Sequence, residues 1–498
     1  MSLYQRLCGH AEFQPDKTAI DSDAGQITYR QLKVLTDWCV TYFHALGLKP
    51  GDRAAILSLN HPDWFIAAFA AARSGVVLVP LNWRLSVNEL KYVIEDSEPV
   101  VLMHDEEFAT QALELQQSFK QLQLVKFATT DFPPQSSGKN CQRTTNHDLE
   151  NQNAPFLIVY TSGTTGRPKG AVLSQKAIMC SAEMSQHMTD LTAGDRVLNV
   201  LPLFHVGGLN IQPLPALLYG ATLVLHARFN PDDAVDALSD KQITLINTVP
   251  TLLQAMLAST AWNPAGFGSL RAVSIGSTDV PVSLIEQINA TGIPLIQIYG
   301  ATETGPVAIY QRIECADKTG SIGRAGLLCQ VRLCNEAGEE VPDGESGEIQ
   351  IKGSNILSGY WRNEKATAES INDGWFGTGD VAHRDCEGYY WFDDRLKHVV
   401  ISGGENIYPA EIERILRDVE GVDEVAVVGK ADKRWGQVPV AVVVGTADEG
   451  TIMLACQSLA KFKRPADIVF VDALPRNALG KILVHQLEKP GLSTMDYL

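Results

Sequence analysis

Apolar and polar positions along the chain alternate between two periods. Residues 28–46 carry apolar side chains at helical spacing and predict an amphipathic helix, which the run GLKPGD at 47–52 stops. Residues 54–59 form an apolar run that predicts a strand, 62–74 an Ala-rich helix, and 75–80 (GVVLVP) a second buried strand. Strand and helix in alternation predict a largely parallel sheet covered by helices. Further buried strands are predicted at 156–160, 197–201, 222–225, 245–249, 272–275 and 295–299, with helical stretches between them. From 323 to 351 the pattern changes to short strands with Gly and Asp turns, which predicts a small β subdomain. A charged run at 393–398 (DDRLKH) then marks an interdomain hinge. Beyond it, 410–418 reads as helix, 425–428 and 438–444 as strands and 454–462 as helix. Together these make an α+β unit of about a hundred residues, an ordinary domain size. Residues 131–155, rich in Pro, Ser, Asn and Gln, predict an exposed loop, and no internal repeat is visible.

Length and composition narrow the classes. At 498 residues the chain is expected to hold roughly two to four domains, and 45% apolar against 20% charged residues is ordinary for a globular protein. The net charge of −17 disfavours nonspecific binding to nucleic acid or to an anionic membrane, yet leaves room for a local cluster of anion-binding donors. The nine cysteines (Cys8, Cys39, Cys141, Cys180, Cys315, Cys329, Cys334, Cys386 and Cys456) are scattered and never spaced as CxxC. That argues against a disulfide framework or zinc site and for reduced thiols in a cytoplasmic setting. The first residues lack the pattern of a secretory signal, and no apolar run approaches ~20 residues, so neither secretion nor a membrane span is expected.

Three segments carry candidate chemistry. At 160–170 the sequence YTSGTTGRPKG follows a buried strand. Its glycines let backbone N–H groups approach phosphate oxygens, its Thr and Ser hydroxyls add donors, and Lys169 adds charge. The order Pro168, Lys169, Gly170 differs from a Walker A loop, in which Gly precedes the lysine and Ser or Thr follows it. At 299–305 the sequence YGATETG again follows an apolar strand. Here Tyr299 suits a base, Thr302 a phosphate and Glu303 a Mg2+ ion, a hard cation that prefers oxygen ligands. At 374–380 the sequence GWFGTGD ends in Asp380, an acid suited to two ribose hydroxyls. Each of the last two, alone, reads equally as a structural turn.

In this order the three segments resemble the adenylate-forming superfamily, which includes the acyl-CoA synthetases, the adenylation domains of peptide synthetases and firefly luciferase. The likeness runs from about Thr28 to Leu483 and includes LPLFH at 201–205, DRLK at 394–397, SGGENIYPAEI at 402–412 and PRNALGK at 475–481. It implies an α/β fold: a large N-terminal domain (1–394) of two parallel-type α/β subdomains plus a small β-barrel-like subdomain. A hinge (395–398) and a small, mobile α+β C-terminal domain (399–498) would follow. It also implies two half-reactions. A carboxylate attacks the α-phosphate of Mg-ATP to give an acyl-adenylate and pyrophosphate, and a thiol, usually that of coenzyme A, then displaces AMP.

Residue by residue, the resemblance places Lys481 between the carboxylate and the α-phosphate, where a donor lowers the barrier to charge developing at phosphorus. It puts Thr161, Ser162, Gly163, Thr164, Thr165 and Lys169 on the β- and γ-phosphates, Thr302 on the α-phosphate, and Glu303 with Thr165 on Mg2+. Gly276, Ser277 and Thr278 lie along the adenine, with Tyr299, Gly300 and Ala301 on its other side. Asp380, Phe392 and Arg395 serve the ribose and nucleoside. Lys397 is the hinge position, and this chain follows it with His398 where relatives usually carry Asp or Glu. Rotation about the hinge would withdraw Lys481 and bring Ser402, Gly403 and Gly404 to line a channel for the pantetheine arm. His205 matches an aromatic gate between the acyl pocket and the adenylate. Trp435 is assigned to core packing.

Acetate-specific relatives carry a Trp at the position of Gly300. Gly300, with Gly207 and Gly208 beside the gate, is therefore read as leaving the acyl pocket open. The expected substrate is a medium to long fatty acid or an aryl acid, handled by a carboxylic acid–CoA ligase. A stand-alone enzyme that loads a separate carrier protein is the alternative, and a dicarboxylate (malonyl-type) ligase a lesser one. A dicarboxylate would want a basic group such as Arg271, which is read as structural. A nonenzymatic nucleotide-binding relative would be expected to lose Lys169, Glu303 or Lys481, and all three are present. The oligomeric state, a homodimer included, stays open.

Overall fold

The computed structural model describes residues 2–127, 152–161, 168–276, 280–402, 405–432, 435–459, 461–476 and 482–487. The chain divides into two compact units, Met1–Val331 with Ile351–Phe376, and Arg332–Gln350 with Gly377–Leu498. The hinge expected at 395–398 lies within the second. Most of the loop expected at 131–155 falls outside the described residues.

The first unit is built on two sheets. In one, the strands Leu295–Tyr299, Ala272–Gly276, Leu245–Thr248, Arg196–Asn199, Thr222–Leu225 and Thr18–Ser22 lie side by side and parallel. Antiparallel strands, Ile309–Tyr310 with Arg324–Ala325 and Gly25–Thr28, extend its two edges. In the other, Pro155–Thr161, Val77–Pro80, Arg53–Leu57, Val101–His104 and Gln123–Lys126 run parallel, and Lys169–Ser174 and Gly359–Tyr360 add an antiparallel edge. The eight apolar runs predicted in this region are all strands here, shifted by one or two residues at their ends, whereas Thr18–Ser22, Val101–His104, Gln123–Lys126 and the antiparallel edge strands were not predicted.

Local sequence explains the elements between them. Thr28 caps the helix Tyr29–Ala45, its hydroxyl accepting from Gln31 N–H while the Gln31 side chain accepts from Thr28 N–H, a reciprocal cap of the kind worth about 1 kcal/mol. The helix Asp63–Ser74 is buried along nearly its whole length. Its alanines allow close packing there, and Gly75 ends it in the left-handed conformation at φ 73°. One core joins this helix to the first sheet's apolar face through Trp64, Phe65, Phe69, Leu217 and Leu223.

In the second unit, Val422–Asp432 and Gly436–Gly445 form a long antiparallel hairpin. It is extended by Val400–Ser402 and Glu405–Ile407, and by Asp467–Phe470 parallel to Gly436–Gly445. Helices Pro409–Arg417 and Glu449–Ala455 close one face over Val400, Ile412, Leu416, Val427, Val443 and Ile452. Two sequence expectations are corrected here. The helix expected at 454–462 is the end of Glu449–Ala455 followed by short 3-10 turns at Cys456–Ser458 and Lys461–Lys463. Trp435 is 48% exposed rather than packed in a core, because it sits at the tip of the hairpin, where neighbours are few. Among the described residues every cysteine is a free thiol, and no helix is long and apolar enough to cross a membrane.

Candidate active site

In the first unit the candidate residues gather where parallel strands end. Thr161 closes Pro155–Thr161, Gly276 closes Ala272–Gly276, Tyr299 closes Leu295–Tyr299, and His205 follows Arg196–Asn199. The C-terminal edges of parallel strands are where α/β sheets bind ligands.

Lys169 opens the strand antiparallel to Pro155–Thr161, and Thr161 and Lys169 are register partners. The phosphate-loop candidate is therefore flanked by two antiparallel strands, whereas a Walker A loop leads from strand to helix. Its Ser162, Gly163, Thr164 and Thr165 lie outside the described residues. The helix Val87–Ser97 holds both ends of the hairpin: Tyr92 O–H donates to the Pro168 carbonyl at 3.1 Å, and Tyr160 O–H to Asp96 Oδ2 at 2.5 Å. Burial and the Asp96 charge push the Tyr160 phenol far up, so it stays a donor.

Thr302, Glu303 and Thr304 form a single 3-10 turn after Tyr299. Two buried asparagines clamp it. Asn355 Nδ2 donates to the carbonyls of Thr304 (2.9 Å) and Val307 (3.3 Å), and Asn210 Nδ2 to that of Gly305 (3.4 Å). Thr304 Oγ1 accepts from Ala301 N–H at 2.9 Å. Thr302 is buried, and the half-buried Glu303 holds its Oε1 3.0 Å from Tyr360 Oη and 3.5 Å from Thr161 Oγ1. One carboxylate among hydroxyls is a hard oxygen donor set. Among the described residues no group of three His, Cys, Asp or Glu could enclose a metal. The oxygen donor set fits Mg2+, which keeps water ligands and is held by one or two carboxylates plus substrate phosphates.

Two of the glycines assigned to pocket space lie hard against backbone. A Cβ on Gly300 would collide with the Pro306 carbonyl, and one on Gly208 with the Pro202 carbonyl. Gly300 is thus fixed by a close backbone approach. Gly276 is held likewise against the Ile298 carbonyl. Gly207 has more room, its nearest neighbour being His205 Nδ1 at 3.2 Å from a built Cβ. His205 caps the helix Val206–Asn210: its Nδ1 accepts from Gly207 N–H at 3.1 Å, which leaves the ring proton on Nε2. Sequence alone offered core packing or a gate for this residue and missed the cap. Arg271 is structural as expected, donating through Nε (3.1 Å) and Nη2 (2.9 Å) to buried Asp195 and to the Thr189 carbonyl at 3.1 Å.

In the second unit Asp380 and Arg395 are register partners across a hairpin, and Arg395 Nε lies 3.0 Å from Asp380 Oδ1. Phe392 is half-buried on the same strand, Tyr390–Arg395, and its carbonyl accepts from Arg414 Nη2 at 2.6 Å. Asp394, assigned no role from sequence, ties the hairpin to the helix Pro409–Arg417 by accepting from Ala410 N–H at 2.8 Å and Arg395 N–H at 2.6 Å. Burial pushes its carboxyl above the usual range. Lys397 lies in the 3-10 turn Leu396–His398, and Ser402 is buried at the end of Val400–Ser402. Ser277, Thr278, Gly403, Gly404 and Lys481 lie outside the described residues.

Comparison with known proteins shows the family. The model of the AMP-binding enzyme family matches residues 9–361, and that of the AMP-binding enzyme C-terminal domain matches 411–481. The chain is 42% identical to the indoleacetate–CoA ligase of Aromatoleum aromaticum, over 97% of this chain and 96% of that one. It is 39% identical to a feruloyl-CoA synthase of Amycolatopsis sp., over 96% and 97% of the two. Its fold matches the o-succinylbenzoate coenzyme A synthetase of Bacillus subtilis, solved with ATP and magnesium ion, at a TM-score of 0.85 and 32% identity over 97% and 98% of the chains. The chain belongs to the AMP-binding enzyme family. Within it, this is an AMP-forming acid–CoA ligase; a carrier-protein loader finds no support among these relatives.

Proposed function

We propose that the chain activates an aryl or arylalkyl carboxylic acid with Mg-ATP and transfers the acyl group to coenzyme A. The observation that carries the reading is the gathering of Thr161, Lys169, Thr302 and Glu303 at the strand ends of a chain aligned end to end with an indoleacetate–CoA ligase. The fatty-acid half of the sequence expectation is set aside, since the most similar curated relatives act on aromatic acids by name.

In this reading Lys169 and the hairpin tip at 162–165 hold the β- and γ-phosphates. Thr302 donates to the α-phosphate, and Glu303 with Thr165 faces the Mg2+ ion. When bound, that ion would neutralise charge on the phosphates and on the pyrophosphate leaving group. Tyr299, Ala301 and the backbone of 276–278 line the adenine, and Asp380, Phe392 and Arg395 take the nucleoside. Lys481 brings its ammonium to the carboxylate and α-phosphate together. A carboxylate oxygen forms the new bond to phosphorus as the bond to pyrophosphate breaks. In the second half-reaction the sulfur of coenzyme A bonds to the acyl carbon, the acyl–AMP bond breaks, and the thiol gives up its proton. Ser402, Gly403 and Gly404 line the thiol's approach once the region around Lys397 has turned. The neutral His205, with its proton on Nε2, stands beside the acyl group. The acidic surface and scattered thiols support a cytoplasmic enzyme acting on a small molecule without nucleic acid.

ATP–pyrophosphate exchange over a panel of indoleacetate, ferulate, 2-succinylbenzoate, laurate and malonate tests the proposal. Exchange with one or more of the aromatic acids, above laurate and malonate, supports it. Exchange led by laurate or malonate contradicts the substrate class.

A further inference from the structure

Residues 357–361 (LSGYW) run between the turn that carries Glu303 and the strand that carries Lys169. Leu357 N–H donates to the Glu303 carbonyl at 2.8 Å. Ser358 N–H donates to the Val172 carbonyl at 2.8 Å and Trp361 N–H to the Gly170 carbonyl at 2.7 Å, framing the pairing of Gly359–Tyr360 with Lys169–Ser174. Tyr360 repeats this bridge with its side chain. Its hydroxyl donates to Glu303 Oε1 at 3.0 Å, and Lys169 Nζ lies 5.3 Å from its ring centroid, over the face. The residue is itself fixed, for its N–H donates to Thr367 Oγ1 at 2.9 Å.

We propose that Tyr360 is a positioning residue that couples Glu303 to Lys169: its hydroxyl orients the carboxylate toward the metal, and its ring face seats the ammonium that meets the phosphates. This rests on the roles proposed above for Glu303 and Lys169. A carboxylate with one oxygen held by a hydrogen bond has less freedom to lose when it meets a cation, and such outer partners typically change metal affinity by ~10–100-fold. A cation over an aromatic face contributes about 0.5–1 kcal/mol where water still reaches it. Phenylalanine would keep the ring and lose the donor, and leucine would lose both, so the two halves of the role separate.

The test is equilibrium binding of α,β-methylene-ATP, titrated with MgCl2 and repeated without metal, on the full chain. Tyr360→Phe is expected to raise the Mg2+ concentration for half-maximal binding about tenfold, with less than about a twofold change in metal-free binding. Tyr360→Leu is expected to show the same rise and also to weaken metal-free binding about two- to fivefold, a loss that disappears in a Lys169→Met background. A Tyr360→Phe protein with the wild-type Mg2+ midpoint overturns the hydroxyl half. A Tyr360→Leu loss that persists in Lys169→Met overturns the ring half. Glu303→Gln separates the levels. If it leaves the Mg2+ midpoint unmoved, the metal assignment itself fails. If it moves the midpoint while Tyr360→Phe does not, only the positioning role fails.

Discussion

The Glu303 turn and the Asp380–Arg395 hairpin are both assigned to the nucleotide, yet they are built on opposite plans. The turn is held from beneath by backbone: Gly300 against the Pro306 carbonyl, and the Asn210 and Asn355 amides on the carbonyls of 304, 305 and 307. Its functional side chains therefore project from a support that owes nothing to them. In the hairpin the functional side chains are part of the support, since Asp380 and Arg395 pair with each other at 3.0 Å. In the proposed reading, a ligand at the turn would meet groups already placed, whereas a ribose at the hairpin would have to share or replace an existing ion pair. The turn's geometry should therefore survive loss of its side chains, and the hairpin, though its strands stay paired, should lose some stability with them.

The largest effects should come from charge at the reacting phosphates. Lys481→Ala is expected to cut ATP–pyrophosphate exchange by about 10²–10³-fold, the usual loss for one donor aimed at developing charge. Glu303→Gln should cost on the order of 10²-fold at limiting Mg2+ and keep the wild-type melting temperature, because the turn stands without it. A melting temperature several degrees lower would break the comparison. Gly300→Ala should do the reverse, lowering the melting temperature by an amount corresponding to about 1–3 kcal/mol, with activity lost through the fold. A stable Gly300→Ala protein with an altered acid preference would favour the pocket-space reading. Asp380→Asn should raise the KM for ATP about tenfold and also lower the melting temperature slightly, since hydrogen bonds to charged groups contribute ~1.5–3 kcal/mol.

The smallest effect concerns pH. His383 Nδ1 lies 2.8 Å from Asp393 Oδ1, and that hydrogen bond raises the imidazole pKa above its usual value. A raised folded-state pKa stabilises the fold fully below the unfolded value of about 6.5, and this is lost as pH rises through the folded value. The ring is 37% exposed, so less than about 1 kcal/mol is expected. His383→Gln should therefore destabilise at pH 5.5 and be nearly neutral at pH 8.5, as thermal melts would show.

Much of this was legible before any coordinates. Apolar runs located the central parallel strands because strands buried on both faces must be apolar throughout, while the outer strands Thr18–Ser22 and Gln123–Lys126, less uniformly apolar, were missed. Motif order located the turn, the phosphate hairpin and Asp380. Space was not legible. The Pro306 carbonyl against Gly300 could not be read, because a missing side chain in a sequence does not reveal what backbone lies against it. Trp435 read as core because its position at a hairpin tip depends on strand ends that apolar runs define poorly. Tyr360 and Asp394 act through residues far away in sequence, Glu303 and Ala410 respectively, and only the folded chain brings them together.

The central claim is the aryl-acid–CoA ligase reaction. Its most direct measurement incubates the protein with ATP, Mg2+, coenzyme A and each acid of the panel, and follows the acyl-CoA thioester and AMP by mass spectrometry. The account predicts thioester and AMP in equal amounts with one or more aromatic acids, and neither when ATP is omitted. ADP in place of AMP, or no thioester from any aromatic acid while laurate or malonate reacts, would contradict it.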